Sequence, residues 1–230
     1  MTDSPSAMLE PSEAPAPAYE NKADAYFGGV RSDFLALLQS EGAGNVLEIG
    51  CGTGDTGAAA LARGLAQTYT GVEIAAQAAA VARTRLTAVL EGDVERLALP
   101  WPDHHFDAVL MSEVLEHLVD PWTLVKRVAE KLKPGALVLA SSPNVAQISI
   151  LRGIIADRWE LTEEGVMDRT HLRWFTQASY RQMFEDAGIR VERLHALAQP
   201  GPVGKLFNVV TLGRFRHLTM SQICIIGRAS

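Results

Sequence analysis

Residues 46–57 read Val-Leu-Glu-Ile-Gly-Cys-Gly-Thr-Gly-Asp-Thr-Gly, an apolar run carrying one acid, Glu48, that ends in a glycine-dense turn. Glycine lets backbone approach a ligand where a Cβ would collide, so Gly50, Cys51, Gly52, Thr53 and Gly54 form a cradle for a small molecule. Gly57 lets the following helix pack close to its strand. A second acid, Glu73, closes the next apolar stretch, and together these features describe a nucleoside-cofactor site. Gly52-Thr-Gly54-Asp-Thr-Gly57 alone also fits a dinucleotide fingerprint. Glu48 separates the two readings, because a carboxylate just before the turn repels a pyrophosphate but holds a cationic amino-acid moiety. S-adenosylmethionine has such a moiety and no phosphate.

A second group with chemistry lies in residues 106–118, Phe-Asp-Ala-Val-Leu-Met-Ser-Glu-Val-Leu-Glu-His-Leu, where a strand is followed by Glu113, Glu116 and His117. Spacings of three and four residues put these three on one side of a helical turn. Mixed carboxylate and imidazole ligands suit Mg²⁺, Mn²⁺ or Zn²⁺, and a metal holding a substrate oxygen would lower its pKa. His171 is the candidate fourth ligand. It stands in Asp168-Arg-Thr-His-Leu-Arg-Trp-Phe-Thr176, dense in polar groups beside aromatics, where an imidazole can also take a hydroxyl proton directly. The metal-free reading stays open: the acids stabilise the helix start and His117 packs near substrate. Arg169 and Arg173 pair with a substrate phosphate or carboxylate, or with Asp157, Glu163 and Glu164. Trp159 and Trp174 wall a ring-shaped acceptor or anchor their segment. His104, His105, His195 and His217 are assigned no role.

The elements that must position these groups follow from periodicity and breakers. Residues 1–18, with Pro5, Pro11, Pro15 and Pro17, bury too little to offset chain entropy and read as a disordered arm. From Asn21 to Gln39 apolar residues fall near helical spacing and predict an N-terminal cap whose Tyr26 and Arg31 line the site. Strands are expected at 45–49, 68–73, 87–91, 106–111 and 136–141, alternating with helices at 55–66, 75–85 and 121–132. Helix 176–187, strand 189–197 and an edge strand near 220–227 follow. Such alternation predicts an α/β, doubly wound, mostly parallel seven-stranded Rossmann-like sheet forming one domain over 19–230. Residues 143–174 break the pattern at a strand end and are expected to form a lid over the pocket. The tail from 200 to 230 carries Lys205, Arg214, Arg216 and Arg228 without an acid. It reads as a solvated loop, or as an anion or membrane-surface contact.

Composition bounds the partners. A net charge of −6 over 230 residues argues against a long nucleic-acid backbone as substrate and for a small molecule. Cys51 and Cys224, far apart and in expected core elements, point to a reduced, cytosolic protein. No apolar run reaches transmembrane length and no signal pattern opens the chain, so a cytoplasmic protein is expected. A homodimer is left open.

Over roughly residues 20–198 the chain resembles the class I S-adenosylmethionine-dependent methyltransferases. The resemblance implies that Glu48 and the Gly50–Gly54 turn meet the methionine part and that Glu73, followed by Ile74, takes the ribose hydroxyls. Gly92, Asp93 and Val94 would meet the adenine, and Ser112 and Glu113 complete the cofactor set. Asp93 also reads as a turn former after Gly92. The Glu-x-x-Glu-His turn is similar to that of ubiquinone-pathway O-methyltransferases and small-RNA 2′-O-methyltransferases, where it binds a divalent metal. The stretch around His171 resembles the lid of bacterial methyltransferases found with sugar and polysaccharide biosynthesis. The expected activity is methyl transfer to a hydroxyl of a small polar metabolite, a sugar or another diol-bearing intermediate. N- or C-methylation, small-RNA methylation, nicotinamide-dependent hydride transfer and non-catalytic cofactor binding are the competing readings.

Overall fold

The computed structural model describes residues 29–196 and 201–230. Tyr26, the proline-bearing arm and the start of the expected N-terminal cap lie outside them. The first described helix, α1 (Ser32–Glu41), follows three non-helical residues, so the continuous helix expected from Asn21 is not formed there. Then come β1 (Ala43–Ile49), α2 (Asp55–Ala62), β2 (Ala66–Glu73), α3 (Ala76–Ala82), β3 (Ala88–Glu91) and β4 (Phe106–Ser112). A 3-10 turn at Leu115–His117 leads into α4 (Pro121–Lys131) and β5 (Leu132–Pro143). The chain continues with α5 (Ile148–Ile155), α6 (Gln177–Asp186), β6 (Ile189–His195), α7 (Pro202–Val210) and β7 (Gln222–Ala229).

The seven strands form one sheet in the order β3-β2-β1-β4-β5-β7-β6. The first five in that order are parallel, as expected for alternating strands and helices. β7 runs antiparallel to both of its neighbours, β5 and β6. The last strand is therefore interior and β6 takes the edge, a correction to the expected edge strand. Its run Ile223-Cys-Ile-Ile226 explains the difference, because both faces of an interior strand are buried and all four side chains are.

Alternation along β1 divides the core. Leu47 and Ile49 join the side chains of α4 and α6, among them Leu124, Val125, Val128, Tyr180 and Phe184. Val46 faces the other way, with Phe34, Leu35 and Leu38 of α1, Ala60 of α2, Ala82 of α3 and Tyr69 of β2. Gly57 permits the close approach of α2: a Cβ there would stand 2.5 Å from Leu86 Cδ2 and from the Tyr69 ring. The segment 143–174 is not a simple loop, since β5 extends to Pro143 and α5 follows. The expected tail loop likewise contains a helix, α7. Both α5 (Ile148–Ile155) and α7 (Pro202–Val210) are short helices in segments where no regular element was expected.

Candidate active site

The carboxyl ends of β1, β2, β3 and β4 open into a cavity of about 470 Å³, within the usual size of a small-molecule site. Of the residues singled out from sequence, Arg31, Glu48, Gly50, Cys51, Gly52, Glu73, Ile74, Gly92, Asp93, Val94, Ser112, Glu113 and His117 line it. Thr53, Gly54, Glu116 and His171 do not. Gly50, Gly52 and Gly54 have φ of 72, 53 and 79°, values that disfavour any residue with a Cβ and that fold the turn under the cavity.

Two acids sit in its floor. Glu73 is buried; its Oε2 accepts from the Gly52 amide and its Oε1 from the Ala75 amide, both at 2.8 Å. Burial pushes its pKa up, against the pull of these amides. Glu48 is buried on the Tyr69 side of β1 and accepts from the Tyr69 hydroxyl at 2.9 Å. Burial raises it to about 8, while the Tyr69 bond and Arg31 act downward and Glu73 upward. Asp93 makes only local bonds, its Oδ1 accepting from the Glu95 amide at 2.9 Å and its Oδ2 facing Arg96 at 3.3 Å. This is the turn-forming use of an aspartate after glycine.

Other contacts carry no signal in the sequence. Arg31 donates to the hydroxyls of Ser112 and Ser141 and pairs with Asp33 at 2.8 Å, tying α1 to the ends of β4 and β5. Thr56 Oγ1 donates to the Gly29 carbonyl and accepts from the Arg31 amide. Gly29, Val30, Thr56, Glu95, Val114 and Leu118 also line the cavity. Apart from Asp33, two residues from Arg31, the partners of these bonds lie 25–110 residues apart, beyond the reach of any local pattern.

At the mouth, Glu113 has φ 51°, strained for a residue with a Cβ, and precedes the 3-10 turn instead of sharing it. The expected single face of Glu113, Glu116 and His117 is therefore not formed. What converges is Glu116, His117 and His171, one ligand atom of each lying within 4.8 Å of the others. The two imidazoles meet edge to face at 4.7 Å between centroids. His117 Nδ1 lies 3.1 Å from the Thr170 carbonyl, and His171 Nδ1 lies 3.0 Å from the Val166 carbonyl. A carbonyl only accepts, so Nδ1 carries a proton in each ring, which makes Nε2 the acceptor whenever the imidazole is neutral. Glu116 accepts from the Ser142 hydroxyl at 3.1 Å through Oε2. Its Oε1 is buried without a hydrogen bond, and burial together with the Glu113 charge drives its pKa well up. The lid is bound to this turn: Leu172 and Arg173 amides donate to the Glu116 carbonyl at 2.8 and 2.9 Å. Arg169 pairs with Glu163 at 2.9 Å, and Trp159 meets Trp174 edge-on at 5.2 Å.

Comparison with known proteins identifies the family and the fold. Residues 21–194 match the family described as "Methyltransferase domain". A ubiquinone biosynthesis O-methyltransferase of Nitrosospira multiformis is 30% identical over 173 residues, covering 72% of this chain and 70% of the relative. One of Pseudoalteromonas translucida is 30% identical over 196 residues, covering 79% and 78%. The fold is that of a SAM dependent methyltransferase from Archaeoglobus fulgidus, with TM-score 0.65 and 19% identity over 89% of this chain and 97% of that one. The chain belongs to the methyltransferase domain family, within the class I S-adenosylmethionine-dependent methyltransferases.

Proposed function

We propose that the enzyme transfers the methyl group to a hydroxyl oxygen of a small polar acceptor, a sugar or another diol-bearing intermediate, that enters between His117 and the lid. The observation carrying this reading is the cluster at the cavity mouth, where the imidazoles of His117 and His171 meet the buried carboxyl group of Glu116. Such a set is suited to accepting a proton or holding an oxygen. The relatives named O-methyltransferases support oxygen as the acceptor atom.

The cofactor supplies a methyl group on an already activated sulfonium, so the chain's contribution is mostly positioning and exclusion of water. Glu48 faces the cationic amino-acid part, Glu73 offers its remaining lone pairs to the ribose hydroxyls, and Gly50 and Gly52 let the backbone close on the ligand. Asp93 and Val94 flank the adenine. His117, which lines the cavity, takes the hydroxyl proton at Nε2, with Thr170 holding its ring. A divalent metal also fits here, because Glu116, whose Oε1 is buried without a hydrogen bond, converges with His117 and His171 into a mixed oxygen and nitrogen donor set. When bound, it would polarise the acceptor oxygen. Glu113 stands apart from that set.

The test uses S-adenosylmethionine labelled with ¹³C in its methyl group and a panel of hydroxyl, amine and carbon acceptors. A methoxy carbon signal is the expected result. An N-methyl or C-methyl product overturns the assignment to oxygen. Glu73→Ala should abolish binding of S-adenosylhomocysteine; unchanged affinity would mean that the ribose lies elsewhere.

A further inference from the structure

The connection between β6 and β7 exposes an apolar surface that the fold leaves unused. In α7, Val203, Leu206, Val209 and Val210 are 83, 64, 70 and 73% exposed, and Leu212 just beyond is 93% exposed. Helices on globular proteins normally bury one face, yet no residue of α7 is buried. Contiguous exposed apolar residues of this kind mark an interaction surface.

The neighbouring charge selects the partner. No Asp or Glu follows Glu192, whereas Lys205, Arg214 and Arg216 are all exposed in or just after α7. Among the described residues no ion pair holds these three. A chain of net charge −6 thus presents one face that is apolar and cationic. Exposed valine, leucine and phenylalanine interleaved with lysine and arginine suit a helix lying in the plane of an anionic lipid interface. A second copy seated symmetrically on the same face would set these cations against each other.

The surface is also well placed. β6 ends, and β7 begins, at the same end of the sheet as the cavity mouth, since Gln222 pairs with Pro143. Asn144 Nδ2 donates to the His217 and Met220 carbonyls, each at 2.8 Å, fixing the exit of α7 two residues from Ser142, the partner of Glu116.

We infer that α7 and the turn to Phe215 dock the enzyme on an anionic lipid surface. The apolar side chains enter the interface and Lys205, Arg214 and Arg216 meet headgroup phosphates. If the methyl-transfer reading of the site holds, the acceptor is then one drawn from the membrane surface.

Flotation of the full chain with vesicles tests this, using phosphatidylcholine alone and phosphatidylcholine mixed with phosphatidylglycerol. Binding to the mixed vesicles, weakened by salt and far weaker on phosphatidylcholine alone, is expected. Lys205→Gln/Arg214→Gln/Arg216→Gln should reduce it by roughly a hundredfold, at about fivefold per cation lost. Leu206→Asp/Val210→Asp should remove it, with S-adenosylhomocysteine affinity unchanged in both variants as the check on folding. A wild-type chain that ignores both vesicles, or binds them equally, overturns the inference. So does a dimer in solution that Leu206→Asp/Val210→Asp splits. Vesicle binding without S-adenosylhomocysteine binding would leave the docking standing and remove the methyl-transfer reading; the converse would do the opposite.

Discussion

At the scale of single residues, the informative groups are those whose burial conflicts with their charge. Glu48 is held at about 8 because it is desolvated beside Glu73, with only the Tyr69 hydroxyl and Arg31 in compensation. At pH 7 it is therefore mostly protonated in the free enzyme. A ligand bringing an ammonium group to it favours the carboxylate, so binding should release most of one proton. Calorimetric titrations with S-adenosylhomocysteine at pH 7, in buffers of different ionisation enthalpy, should show that release in the wild type and none in Glu48→Gln. A buffer-independent heat for the wild type would sink the assignment. At the mouth, His117 lines the cavity while His171 packs behind it against the Val166 carbonyl. His117→Ala should lower turnover about 10²–10⁴-fold, the usual contribution of a placed base, with cofactor affinity kept. If a metal is held there, His171→Ala should lose as much, and chelation should mimic it until divalent ion is restored. Full activity in His171→Ala would make it a residue that only braces the lid.

At the scale of elements, the glycine turn and the acids lining the cavity were legible in the sequence because their constraints are local. Gly50, Gly52 and Gly54 announce positive φ, Glu48 and Glu73 end apolar runs, and Gly57 stands where a helix must touch its sheet. Gly57→Ala tests that last point. The added Cβ would gain roughly 1 kcal/mol in helix propensity but meet the fully buried Tyr69 ring, and overpacking of that kind costs about 1–3 kcal/mol. Since 2.5 Å is far inside contact distance, a net loss is expected, read as a melting temperature lowered by several degrees. A more stable variant would show that α2 can slide away from β2. The mouth was less legible, for physical reasons. Helical spacing would group Glu113, Glu116 and His117, but the left-handed Glu113 and a 3-10 turn rotate Glu113 out of the cluster. The neighbours of β7 could not be read from its run of isoleucines, which says that both faces are covered and nothing about strand direction. α7 is a short run, Pro202–Val210, between breakers, read from sequence only through the cations of its tail, Lys205, Arg214 and Arg216.

At the scale of the whole molecule, these buried acids set how stability answers to pH. A carboxyl with an unfolded value near 4.5 and a folded value of about 8 keeps its proton in the native state across a window where the unfolded chain has lost it. Stability then falls as pH rises through that window, and Glu73, also raised, acts in the same direction. Aspartates act at the other limb. Asp33 is lowered by its hydrogen bond to and the charge of Arg31, which overcome its burial. Asp120 is lowered by the hydroxyl and amide of Thr123. Their contribution is present above about pH 4 and lost below it. The free enzyme should therefore be most stable in mildly acidic solution and lose on the order of 1 kcal/mol per pH unit towards pH 8. Saturating S-adenosylhomocysteine should flatten this slope, because its ammonium group favours the ionised form of Glu48 and so stabilises the complex increasingly as pH rises. Urea unfolding between pH 5.5 and 8.5, with and without ligand, measures both. If stability of the free enzyme instead climbs steadily to pH 8, Glu48 is ionised in the native state, and the cationic half of the ligand has a ready-made counter-charge rather than one that its own arrival creates.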